Sequence, residues 1–145
     1  MREILFRGQT RRFGEKVRMN GEKVPSNWVY GGVCQGGDFS IIYGNDDVEQ
    51  KKPTEKWCVY TDTLGQFTGL TDKNGKKIFE GDIIKIPDDY EEYGHNAGEV
   101  YEIYFFMGGF RLKPKYSKAR GYWLEDDGEV EVIGNIHDNP ELLEV

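Results

Sequence analysis

The chain has 145 residues, room for one domain or two small lobes, and its 14% aromatic content is too high for a disordered chain despite a mean hydropathy of -0.69. Nineteen Lys and Arg against 26 Asp and Glu leave a net charge of -7, which argues against a protein that coats nucleic acid through global charge. No run of about 18 apolar residues would cross a membrane as a helix, and residues 1–8 lack the roughly 7–15 apolar residues of a signal peptide, so an intracellular location is expected.

No helical period runs through the chain. Short runs of β-branched and aromatic residues recur instead, bounded by glycine and polar clusters, and these predict strands. In chain order they cover 4–7, 28–33, 39–43, 57–60, 83–86, 100–106, 109–113, 121–124 and 130–133. The pairs Gly31-Gly32 and Gly36-Gly37 read as hairpin loops, because no helix comes after them to make an anion cradle. A polar stretch at 45–53 separates an N-terminal lobe from the hairpin region. Asn74-Gly75 predicts a two-residue type I′ hairpin, which needs positive φ at both positions. Glu80-Gly81-Asp82 is a second turn, where Asp82 can accept backbone N–H bonds, and Pro87 ends the next strand. Residues 87–96 read as an exposed acidic loop, without the ordered alternation of a calcium loop. Met107-Gly108-Gly109-Phe110 predicts another hairpin, and Asp126-Asp127-Gly128 a further turn. Pro140 suits the first position of a short helical turn capped by Asp138 or Asn139. The expected architecture is all-β: one domain, with an N-terminal lobe over about 1–60 and a small, partly open barrel over about 61–145.

Charge comes in blocks. Residues 1–23 carry a net +4, 80–102 a net -7, 111–120 a net +5 and 125–145 a net -8. Chemistry is sparse by comparison. Ser26, Ser40 and Ser117 are the serines, and none sits in a nucleophile elbow. A P-loop is missing. His95 and His137 lack zinc spacing, and Cys34 and Cys58 read as reduced, partly buried thiols. No catalytic residue, cofactor or metal is therefore expected. The basic stretch Arg111, Lys113, Lys115, Lys118 and Arg120, with Tyr116 and Trp123 beside it, is the candidate contact for an anion or a partner. Its plainer reading is a solvated strand edge whose lysines block edge pairing or meet the acidic blocks.

The segment from Thr63-Leu64-Gly65 through Leu70-Thr71-Asp72-Lys73-Asn74-Gly75 to Glu80-Gly81-Asp82-Ile83-Ile84-Lys85 resembles the YopX family of small phage and prophage proteins. So do the opening Arg2-Glu3-Ile4-Leu5-Phe6-Arg7-Gly8, the piece Trp28-Val29-Tyr30-Gly31, and the ending Val132-Ile133-Gly134-Asn135-Ile136-His137-Asp138-Asn139-Pro140. The strand that starts at Gly81-Asp82 is similar to strand starts in SH3-like barrels, an analogy of fold alone. The resemblance implies a compact β protein made inside a bacterial host and carries over no catalytic residue. A non-enzymatic accessory protein that binds a host or phage protein is expected. The alternatives are a nucleotide binder acting as a sponge for a defence signal, and a nucleic-acid binder, which the net charge disfavours. No membrane partner is expected, and open sheet edges would favour a homo-oligomer.

Overall fold

A computed structural model describes residues 3–12, 27–44, 55–88, 98–114, 122–124 and 129–144. These residues form eleven strands: β1 (Phe6–Gln9), β2 (Trp28–Cys34), β3 (Phe39–Gly44), β4 (Glu55–Tyr60), β5 (Gly65–Thr71), β6 (Lys77–Phe79), β7 (Asp82–Lys85), β8 (Val100–Phe106), β9 (Gly109–Pro114), β10 (Tyr122–Trp123) and β11 (Glu131–Asn135). Short 3-10 turns at Thr61–Thr63 and Pro140–Leu143 are the helical elements among them. The strands pair as two antiparallel sheets, ordered β4-β3-β2-β1-β5-β6 and β10-β9-β8-β7-β11. Neither sheet closes on itself, which gives the all-β, open small-barrel architecture expected. Each predicted strand has its counterpart, with ends that agree within two residues. The predicted polar stretch 45–53, the turn at 126–128 and most of the 87–96 loop lie outside the described residues.

Two compact units divide the chain at Phe67 and Thr68. In the first, β2 pairs with β1 through residues 28–31 and with β3 through residues 32–34. Gly31-Gly32 therefore lies inside a strand, not in a hairpin loop. The reason is close approach: a Cβ on Gly31 would sit 2.0 Å from the Tyr43 carbonyl oxygen. Gly36-Gly37 does lie in the connection between β2 and β3. On the inner face a Cβ on Gly8 would lie 2.8 Å from Val59 Cγ2 and 3.2 Å from Leu64 Cδ2, so β1 and β4 close over that face. Ile42 and Val59 are buried there with Ser40. The Thr63 hydroxyl accepts from the Gln9 amide at 2.9 Å and donates to the Tyr60 carbonyl at 2.6 Å, which satisfies buried polar groups where the strands meet.

The second unit packs Ile78, Ile84, Ile86, Tyr101, Ile103, Leu112 and Val130 into one core. Each such side chain contributes about 1.5–3 kcal/mol on burial. The Asn74-Gly75 turn differs from the type I′ geometry predicted. Gly75 has φ 78° and Asn74 is not at positive φ. The Gly75 amide donates to the Asp72 carbonyl at 3.0 Å, and the Asp72 amide to the Lys76 carbonyl at 2.8 Å, which makes a three-residue hairpin loop. Asp72 selects this geometry: its carboxylate accepts from the amides of Asn74 and Lys76 inside the loop. Asp82 accepts from the Phe79 amide at 2.8 Å and closes the next turn as expected. Pro140 opens the C-terminal 3-10 turn, but neither candidate side chain caps it. Asn139 Oδ1 instead accepts from the Asn135 amide at 3.2 Å.

Candidate functional site

The β8–β9 hairpin alternates strictly. Tyr101, Ile103 and Phe105 share one face with Leu112 and Phe110, while Glu102, Tyr104 and Phe106 share the other with Lys113 and Arg111. Along the first face burial fails abruptly. Tyr101 and Ile103 are buried, yet Phe105, two residues on, is 53% exposed. The hairpin thus runs past the core that supports its base. At its apex Phe106 is 41% and Met107 59% exposed, so three consecutive large apolar residues face water.

The turn itself is Met107-Gly108, with φ 49° and 82°. Positive φ at both central positions is the type I′ pattern, in which Asn or Gly normally fills the first position. A methionine there costs about 1 kcal/mol of backbone strain. The rings on the flanks are ordered against each other. Tyr104 and Phe106 stack at 5.9 Å between centroids, and Phe105 meets Phe110 edge-on at 5.4 Å. The Arg111 Nε donates to the Phe106 carbonyl at 3.1 Å, and the Lys113 ammonium lies 5.9 Å from the Tyr104 ring. An apolar apex held rigid at an energetic cost favours contact with another molecule over stability of the fold. Met107→Asn is expected to relieve the strain and raise the melting temperature of the second unit by about 4–8 °C, measured by calorimetry.

Of the basic residues singled out from sequence, Arg111 and Lys113 stand on β9, while Lys115, Lys118 and Arg120 lie outside the described residues. β9 lies between β8 and β10, so Arg111 and Lys113 do not guard a sheet edge. Lys113 also pairs with Glu102 at 3.7 Å, one of the acidic-block contacts the plainer reading foresaw.

A second surface stands out in the first unit, on the outer faces of β2, β3 and β4. Tyr30 is 47% and Phe39 54% exposed, with Ile41 and Tyr43 beside them. Lys56 lies over the Tyr43 ring at 5.8 Å, and the Arg12 guanidinium 4.5 Å over the Tyr60 ring while also 2.9 Å from Asp62. Cys34 and Cys58 are exposed on this face, a correction to the partly buried thiols expected. They flank Ile41 from opposite sides, two strand spacings or about 9.5 Å apart, beyond the roughly 7 Å reach of a disulfide.

A cavity of about 380 Å³ in the second unit is lined by Lys73, Lys85, Pro87, Asp88 and Glu131. Its charges pair off, Lys73 with Glu131 at 3.4 Å and Lys85 with Asp88 at 3.5 Å, so it presents no single sign of charge to a ligand. Among the described residues no three His, Cys, Asp or Glu side chains gather as a metal site, and no helix is long and apolar enough to cross a membrane.

Fold and surfaces together define a small open-sheet β protein that displays aromatic groups. The family model described as YopX protein matches residues 26–144. The chain is 31% identical over 119 residues to the SPbeta prophage-derived uncharacterized protein YopX of Bacillus subtilis (strain 168), an alignment that covers 72% of this chain and 81% of the relative. It is also similar to the crystal structure of protein EF1440 from Enterococcus faecalis, at 25% identity and a TM-score of 0.49, over 99% of this chain and 100% of that one. The chain belongs to the YopX family.

Proposed function

We propose that this chain is a prophage- or phage-encoded accessory protein without catalytic activity, which binds a host or phage protein inside the bacterial cell through the apex of the β8–β9 hairpin. One observation carries this reading: Phe105, Phe106 and Met107 are held in water by a turn whose first residue is strained. An apex of this kind enters a partner's apolar pocket, and Arg111 on its flank adds a charged contact at the rim. The prophage origin of the Bacillus relative supports the phage setting.

The test places a photo-crosslinking residue at Phe106, and as a control at Lys77, in the full chain. Each is irradiated in a lysate of a lysogenic Bacillus. A discrete adduct from position 106 that Met107→Asn abolishes is the expected result. Adducts equal at both positions, or none at 106, would remove the apex as a binding site.

A further inference from the structure

We propose that the outer face of β2–β4 is a separate site for single-stranded nucleic acid, with bases stacking on Tyr30, Tyr43 and Phe39 and the phosphate chain passing Lys56 and Arg12. The net charge of -7 does not describe this surface. Residues 68–145 carry nine basic and seventeen acidic groups, whereas residues 1–67 carry ten and nine. Among the described residues of β2, β3 and β4, the positions that share a face with Tyr43 and Phe39 through these pairings include no carboxylate and one cation, Lys56. In so acidic a chain this is charge complementarity to an anion, placed among exposed rings.

The second observation is room. Gly32 sits on the same face, directly across from Tyr43, and a Cβ built there meets nothing within 4 Å. The side of the Tyr43 ring is therefore open to a flat group, and Tyr30 lies two residues back along β2, where that strand pairs with β1. Flat groups joined by an anionic chain are what a single strand offers. A duplex hides its bases and would gain only the weak charge contact. With two cations at hand, and Arg12 shared with Asp62, stacking dominates over phosphate contact. The site is independent of the hairpin apex.

The test measures anisotropy of labelled single-stranded oligo-dT and oligo-rU, and of a duplex, at about 50 mM salt. Binding of a single strand is expected, with a log-log salt slope of only about -0.7 to -1.4 for one or two phosphate contacts. Gly32→Leu fills the open notch without a clash and should weaken it about tenfold or more, as should Tyr30→Ala, while Met107→Asn leaves it unchanged. The two oligonucleotides show whether DNA or RNA is preferred. No binding of either strand, preference for the duplex, or binding that neither Gly32→Leu nor Tyr30→Ala weakens would each overturn the proposal.

Discussion

Gly31→Ala is expected to destabilise the N-terminal unit by about 3 kcal/mol or more, while Gly32→Ala, one residue on, changes stability by less than about 1 kcal/mol. The contrast is steric. At Gly31 the new methyl would stand 2.0 Å from the Tyr43 carbonyl oxygen and 2.6 Å from its carbonyl carbon, so β2 and β3 would have to separate. Those atoms belong to backbone paired in the sheet and cannot rotate away as a side chain can. At Gly32 the methyl meets open space, and the lower entropy of the unfolded alanine chain favours the fold slightly. Native-state amide exchange of β2 and β3 in the two variants measures both effects in one unit. Equal protection in the two variants would contradict a handover of β2 from β1 to β3 at this glycine pair.

Asp72→Ala is expected to cost the second unit about 3 kcal/mol at pH 7, because it strips acceptors from three backbone amides. Those amides belong to Asn74 and Lys76, each at 2.9 Å, and to Val132 at 3.1 Å. The pH dependence comes from the same contacts. Burial by itself would raise the Asp72 carboxyl, but the hydrogen bonds from Val132, Lys76 and Asn74, with the nearby Lys76 charge, outweigh it and hold the group below its ordinary value. A carboxyl lowered on folding adds stability that is fully present above its unfolded pKa of about 3.9 and is lost as pH falls through the folded value. The gap between wild type and Asp72→Ala should therefore be widest near neutrality and narrow below about pH 4. Urea titrations of both proteins across that range measure it. A gap that stays constant would mean the carboxylate charge has no part in holding the turn.

Much of this fold could be read from local pattern. Alternating β-branched and aromatic runs located the strands, since a half-buried strand needs an apolar residue at every second position. The structure departs from local composition where a specific backbone or side-chain contact outweighs it. Asn74-Gly75 has the composition of a type I′ turn, but Asp72 and Lys76 bond across it and a three-residue loop results. The true type I′ turn is Met107-Gly108, which composition alone ranks poorly. Gly31-Gly32 reads as a loop because nothing in sequence shows that the backbone of β3 comes so near. The candidate surfaces were harder to foresee. Arg111 and Lys113 drew attention by charge, whereas the exposed apex was signalled only by Phe105, Phe106 and Met107 running apolar into a turn, where polar residues are usual. The outer face of β2–β4 needed the pairing register, because exposure of a strand residue depends on which neighbour covers it.

The bond from the Val132 amide to the Asp72 carboxylate spans 60 residues, and it bears on the order in which the protein can be built. The Lys73 amide likewise bonds the Val130 carbonyl, and the Ile136 amide the Gly81 carbonyl. β7 takes β11 as one of its neighbours, so the second sheet lacks an outer strand until residue 135 has been synthesised. The strands β1–β4 and the start of β5, by contrast, are complete by residue 67. During translation the N-terminal unit can fold while the other waits, with its central strands and the Phe105–Met107 segment exposed to chaperones or to early partners. Closure by β11 means that the second unit completes its sheet after every strand of the first unit has been made.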